Sequence, residues 1–338
     1  MKIAVLAPIA WRTPPLKYGP WEQVTSNITE GLVAKGMDVT LFATGNSHTS
    51  ANLEYISETA YAEDDSIIPK VWECLHISFL MEQSSRFDLI HNNFDYLPLT
   101  YSTLIGTPML TTIHGFSSPG IIPVYRKYNK YNYYVSISDS DRSPELDYVA
   151  TIYNGIKTED FSFNPRPDDY LLYFGRIHPE KGTVESIQIA KAAKRNLIIS
   201  GLIQDEAYFQ DKVKPLIDGQ QIKYIGNSGP VERNRLLGRA YALLHPISFE
   251  EPFGLSVAEA MICGTPVIAF NRGSMPELIE HNKTGFLTQS VDEAVHAVQQ
   301  VDNLNRFYIS EKAISRFSAE RMVEQYIDIY NRIIEKSI

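Results

Sequence analysis

The chain has 338 residues, enough for two domains of ordinary size rather than one. Hydrophobic residues make up 44% and charged residues 21%, the balance of a globular protein and not of a disordered or fibrous one. A formal net charge of −9 argues against a broad nucleic-acid-binding surface, so an anionic ligand needs a local concentration of cations.

The opening run MKIAVLAPIAW has a single lysine and is cut by Pro8. It is too short and interrupted for a signal peptide and reads as a first buried strand, Ile3–Ala7. Helical spacing follows over Glu22–Ala34, ending at Gly36, then a strand over Asp38–Ala43. A helical stretch from Ile67 to Ser84 leads into Leu89–His91, and further apolar runs lie at Met109–Ile113, Tyr133–Ile137 and Tyr148–Ile152. Strands alternating with helices predict a parallel sheet covered on both faces.

The pattern then restarts. Leu171–Phe174, Leu197–Ser200, Lys223–Ile225, Ala242–Leu244 and Val267–Phe270 read as strands, with helical stretches at Thr183–Ala193 and Ala207–Leu216. Lys157–Asp169, with two prolines, several charges and no period, is the expected linker. The expected division is 1–156, a linker 157–169, a second domain 170–317 and a final segment 318–338, where Met322, Tyr326, Ile329 and Ile333 fall at helical spacing. Cys74 and Cys263, both in apolar helical surroundings, read as two buried thiols in a reducing compartment; this predicts a cytoplasmic protein. No Cys/His spacing of a metal site and no apolar run long enough for a transmembrane helix occurs.

Open parallel sheets bind ligands beyond the carboxyl ends of their strands, so the chemistry is sought in those loops. The stretch EEPFGLSVAEAMICGTPVIA, residues 250–269, carries most of it. Glu251 and Glu259 stand eight positions apart, just over two helical turns, which would turn both carboxylates to one cleft. Phe253-Gly254-Leu255 marks a helix start, whose free N–H groups suit an anion. Carboxylates accept sugar hydroxyls and N–H groups meet phosphates, the two needs of a sugar diphosphate. Upstream, Gly175-Arg176 and Lys181-Gly182 form a strand-to-helix loop with a guanidinium fork, a point charge and glycines that let backbone approach a diphosphate.

The 250–269 stretch resembles the E-x7-E signature of the retaining, nucleotide-sugar-dependent glycosyltransferases of the large bacterial family four. The loop at 175–182 resembles that family's G-R-x-x-x-x-K-G segment. The resemblance implies an α/β protein of GT-B architecture, with two facing Rossmann-like domains, an interdomain cleft and a C-terminal helix that crosses back to the N-terminal domain. It implies that Glu251 contacts donor-sugar hydroxyls and Glu259 the nucleotide ribose, with Gly175, Phe253, Gly254 and Leu255 also on the donor. It implies that Arg176 and Lys181 stabilise the leaving diphosphate. Thr111-Thr112-Ile113-His114-Gly115 resembles the family's T-x-H-G site, in which His114 approaches the donor sugar.

The first loop, Tyr18-Gly19-Pro20-Trp21-Glu22, resembles the family's Y-G-G-x-E acceptor loop, with Pro20 in place of the second glycine. Proline has no N–H, so one backbone donor is lost there. Asp139-Ser140-Asp141 is a literal D-x-D but reads as a solvated turn after a strand, and no metal requirement is expected. The tyrosine-rich run 125–134 reads as a surface helix leading into a strand. The expected reaction moves a hexose from a nucleotide diphosphate sugar, a UDP-sugar before GDP-mannose, to a glycan or small-molecule hydroxyl with retention. No bound cofactor or nucleic-acid partner is expected, and peripheral membrane contact stays open. A nucleotide-sugar epimerase of the same architecture and a non-catalytic sugar-nucleotide-binding scaffold are the rival readings.

Overall fold

A computed structural model describes residues 1–116 and 118–337, with the side chains of 336 and 337 left aside. The chain divides into two compact units, one of Met1–Gly155 with Ala319–Ile338, the other of Ile156–Ser318.

The first unit is built from β1 (Lys2–Leu6), α1 (Pro20–Ala34), β2 (Asp38–Phe42), β3 (Asn52–Glu54), α2 (Pro69–Met81), β4 (Leu89–Asn92), β5 (Met109–Ile113), α3 (Ile122–Tyr128), β6 (Tyr133–Ser136) and β7 (Tyr148–Thr151). The strands form one parallel sheet in the order β3-β2-β1-β4-β5-β6-β7. β1 from Ile3 onward, β4 and β5 are buried at every residue because both faces of the sheet are covered, and β4 takes His91 and Asn92 into that interior. Chain order reverses between β1 and β4, so the loops that follow these two strands open side by side.

The second unit repeats the design with β8 (Tyr170–Phe174), α4 (Thr183–Ala192), β9 (Asn196–Ser200), α5 (Glu206–Tyr208), β10 (Ile222–Tyr224), α6 (Pro230–Arg239), β11 (Ala242–His245), α7 (Leu255–Ile262), β12 (Val267–Phe270), α8 (Met275–Leu278), β13 (Gly285–Thr288), α9 (Val291–Val298) and α10 (Arg306–Phe317). Its parallel sheet runs β10-β9-β8-β11-β12-β13, with the reversal between β8 and β11. The core includes Leu171, Ile187, Leu197, Leu244, Ile268 and Phe286.

The last helix, α11 (Ala319–Ser337), belongs to the first unit. Its buried stripe of Met322, Val323, Tyr326, Ile329, Tyr330 and Ile333 lies along the helical period read from the sequence. Gly31 on α1 permits the approach of α11, since a Cβ there would stand 2.4 Å from Val323 Cγ2. The Tyr330 hydroxyl bonds His91 Nδ1 at 2.6 Å, His91 Nε2 bonds Thr112 Oγ1 at 2.8 Å, and Thr112 Oγ1 bonds the Tyr326 hydroxyl at 2.8 Å. This buried polar chain joins α11 to β4 and β5.

Three expectations change. Ala207–Leu216 is not one helix: α5 passes into a wide π-type turn, Phe209–Val213, and then a 3-10 turn, Lys214–Leu216, containing Pro215. A proline there has no N–H to continue the α-helical ladder. The expected linker is fastened to the second unit: Ser162 N donates to Asn234 Oδ1, Asn164 N to the Cys263 carbonyl, and Arg239 forks onto Asp168 at 2.8 and 2.9 Å. Cys74 is exposed, whereas Cys263 is buried. Position 74 falls on the outer face of α2, beside exposed Val71 and Leu75, and apolar composition alone did not reveal the facing.

Candidate active site

The loops after β8 and β11 meet where the second sheet reverses. Gly182 has φ +75°, and a Cβ on it would stand 2.1 Å from the Pro246 carbonyl oxygen, so only glycine lets these backbones touch. Ser248 N donates to the Glu180 carbonyl at 2.9 Å and fastens the contact. Across it, Lys181 Nζ lies 2.6 Å from Glu251 Oε2 and 4.4 Å from the centre of the Phe249 ring. His245 Nε2, at the end of β11, stands 3.5 Å from the same carboxylate oxygen.

Glu251 is itself held from behind. Its carbonyl accepts from Ser274 N at 2.9 Å, and Gly273, at φ +53°, would place a Cβ 2.3 Å from Glu251 N. Burial works to raise the Glu251 pKa, but Lys181 and His245 outweigh it and bring the carboxyl down to about 2. The group is therefore an anion at neutral pH. Its neighbour Glu250 is exposed and turns to the loop after β12, where Gly273 N donates to its Oε2 at 2.5 Å.

Gly254, at φ +88°, stands at the N-cap of α7, with Phe253 buried before it and Leu255 as the first helical residue. The first-turn amides of a helix have no intrahelical acceptor, so this end favours an anion. Glu259 lies farther along α7, with Oε1 3.4 Å from Arg233 Nη1 of α6. Burial raises its pKa, Arg233 opposes this, and Asp160 adds to it. The helix begins where the sequence places it, directly after Gly254. Glu251 precedes the helix in a loop, Glu259 is on it, and each meets its own cation.

Arg176 follows Gly175, whose carbonyl leaves no room for a Cβ on Gly201. Its Nη1 donates to Gln204 Oε1, and its carbonyl accepts from the Tyr173 hydroxyl at 2.6 Å. Its guanidinium meets neither glutamate.

In the first unit, His114 ends the run after β5 and stacks on Trp21 with ring centres 5.8 Å apart. Asn93 Oδ1 accepts from His114 Nε2 at 3.0 Å, which leaves Nδ1 as a buried acceptor without a hydrogen bond. Burial lowers the His114 pKa to about 3, so the ring is neutral. Glu22 is buried in the first turn of α1 and accepts from Trp11 N at 3.1 Å. Burial raises its carboxyl to about 7 against two backbone hydrogen bonds. Tyr18 meets the Trp11 ring edge-on at 6.2 Å. Gly19 is the N-cap of α1 and Pro20 its first residue, a position with no intrahelical use for an N–H. The proline's missing donor therefore costs α1 nothing.

Asp139-Ser140-Asp141 forms a turn after β6, with Asp139 Oδ1 accepting from Thr151 Oγ1 at 2.5 Å and Asp141 N donating to Ser138 Oγ at 3.2 Å. Among the described residues no group of three or more His, Cys, Asp or Glu is placed to hold a metal ion. Among the described residues no helix is long and apolar enough to cross a membrane. Sequence reasoning missed His245, Asn93 and Arg233. The strand-end position that singled out His114 also applies to the first two, while nothing in the charged helix 230–239 distinguished Arg233.

Residues 156–317 match the family model described as glycosyl transferases group 1. Glycogen synthase from Mycobacterium tuberculosis is 31% identical over 152 residues, covering 42% of this chain and 36% of that protein. The chain spans 36% to 45% of the length of the first curated relatives it matches. Sucrose-phosphate synthase from Thermosynechococcus elongatus has a similar fold, with TM-score 0.81 and 18% identity over 99% of this chain and 100% of that one. Anabaena HepE, solved with UDP-glucose, gives TM-score 0.73 and 19% identity over 98% of this chain and 100% of that one.

Proposed function

We propose, from the match of residues 156–317 to the glycosyl transferases of group 1, that this chain moves a hexose from a nucleoside-diphosphate sugar to an acceptor hydroxyl. The observation that carries the proposal is the largely buried contact of Lys181 with Glu251 at 2.6 Å, made at the reversal point of a parallel sheet. A cation for the diphosphate and an ionised carboxylate for sugar hydroxyls stand side by side there.

As the bond from sugar to diphosphate breaks, negative charge grows on the leaving group. Lys181, Arg176 and the start of α7 at Gly254 stabilise it. Phe253 and Leu255 offer backbone to the sugar and phosphate, and Gly175 leaves room for it. Glu251 accepts donor-sugar hydroxyls, and Glu259 accepts from the ribose. His114 is neutral and serves as a hydrogen-bond acceptor for a sugar hydroxyl at Nδ1, not as an acid. The family resemblance supports retention of configuration, with a departing phosphate oxygen taking the acceptor proton on the same face. It also supports a donor bound without a metal ion. The acceptor binds the first unit near Tyr18, Gly19, Trp21 and Glu22. A UDP-sugar is favoured, with GDP-mannose next, and the protein works in the cytoplasm.

Thermal unfolding against UDP, GDP, ADP and TDP, each with and without magnesium, tests this. A ligand at 100 times its Kd adds about 2.7 kcal/mol, a shift of a few degrees. A shift with one base, equal with and without magnesium, supports the proposal; no shift with any base contradicts it. Incubation of the matching nucleotide sugar without acceptor separates transfer from epimerisation, since only an epimerase yields an isomeric nucleotide sugar.

A further inference from the structure

Arg233 has no part in the chemistry described so far, yet it is largely withdrawn from water. Its side chain is 17% exposed and that of Glu259 7%. The guanidinium sits 5.4 Å above the Phe161 ring centre, which fixes its plane. It reaches Glu259 through a single long contact, Nη1 to Oε1 at 3.4 Å. Among the described residues the Glu259 carboxylate has no other ion pair or hydrogen bond. A buried carboxylate held at one oxygen has the other oxygen's lone pairs to offer.

We propose that Arg233 is a positioning residue that holds the Glu259 carboxylate for an intact ribose diol and so sets a preference for ribonucleotides over 2′-deoxyribonucleotides. Its role rests on the nucleotide-sugar site proposed for the second unit. A carboxylate can accept from both vicinal hydroxyls at once, and loss of one hydroxyl removes one charge-assisted bond. Such a bond corresponds to about tenfold to hundredfold in affinity. Three charged or titratable groups face Glu259: Arg233 from α6, Asp160 from the segment before β8, and Cys263 one turn along α7. Only Arg233 favours the anion. Without it, burial and Asp160 push the carboxyl toward its protonated form, which accepts fewer hydroxyls.

Calorimetric titration with UDP and 2′-deoxy-UDP tests this, with the GDP pair used instead if unfolding selects guanine. Wild-type protein binds the ribonucleotide at least about tenfold more tightly. Arg233→Ala loses most of that ratio while keeping its affinity for the deoxy form. Arg233→Lys, which keeps the charge and is the safer variant for folding, retains part of the ratio. If Arg233→Ala and Arg233→Lys weaken both nucleotides equally, or leave the ratio untouched, the role assigned to Arg233 is overturned. If wild-type protein binds UDP and deoxy-UDP equally, the ribose assignment of Glu259 fails while the diphosphate site stands. If wild-type protein binds no diphosphate at all, the proposed function itself fails, and the role of Arg233 with it.

Discussion

Lys181 and Glu251 lie 70 positions apart in the chain and touch at 2.6 Å. They meet because β8 and β11 are neighbours in the sheet, and because Gly182 allows the two following loops to close on each other. The pair is largely withdrawn from water on both sides and so persists as more than a surface ion pair, whose contribution would be small.

Acid should reveal the pair. The folded Glu251 carboxyl titrates at about 2 against an ordinary 4.5. Its contribution to stability is therefore complete above pH 4.5 and lost as the pH falls toward 2. The size is on the order of 3 kcal/mol. Glu251→Gln should be less stable than wild type at pH 6 and lose much less stability between pH 4.5 and 2.5. Urea unfolding at several pH values reads both slopes; parallel curves would refute the pairing.

Glu22 should behave in the opposite sense. Its folded carboxyl is raised to about 7, so the folded state holds the proton more tightly than the unfolded state. Stability attributable to Glu22 falls as the pH rises from 4.5 to 7 and is level above. Glu22→Gln keeps an acceptor for Trp11 N and should raise stability at pH 8 by roughly 2–3 kcal/mol, with little change at pH 4. An unchanged unfolding midpoint at pH 8 would contradict the raised value.

The two sheets and most strands were legible because buried parallel strands are short apolar runs set off by glycine and proline. Val5, Leu110, Leu171 and Ile268 illustrate them. The Glu251 loop and Lys181 were legible because loops after such strands carry ligands, and both charges stand there. The partners were not. The helix start read at Phe253–Leu255 already put Glu251 before α7 and Glu259 on it, but residue spacing does not say which cation each carboxylate meets. The break at Pro215 was written in the sequence but outweighed by apolar spacing on either side. The exposure of Cys74 depends on the rotation of α2, which composition does not specify.

Close packing of α1 on α11 makes Gly31 sensitive. Alanine there gains about 1 kcal/mol of helix propensity but drives a methyl to 2.4 Å from Val323 Cγ2. Valine is stiff at χ1 in a helix, so the strain dominates. Gly31→Ala should cost about 1–3 kcal/mol. The double variant Gly31→Ala with Val323→Ala should recover part of the loss, as denaturant midpoints would show.

Tyr330→Phe removes the hydroxyl at 2.6 Å from His91 Nδ1 and leaves that nitrogen buried without a partner. A loss of about 1–3 kcal/mol is expected. Hydrogen exchange should quicken along α11 before the rest of the first unit. Uniform protection across α11 in the variant would show that the polar chain does not fasten the helix.

The central claim is that Lys181 binds the diphosphate of a nucleotide-sugar donor. Calorimetric titration of wild type and Lys181→Ala with the nucleoside diphosphate selected by unfolding tests it most directly. The account predicts saturable binding to wild type, and binding at least about tenfold weaker in the variant at equal foldedness, from the loss of a charge-assisted contact. Equal affinity in the two proteins would contradict it and remove the second-unit loops as the donor site.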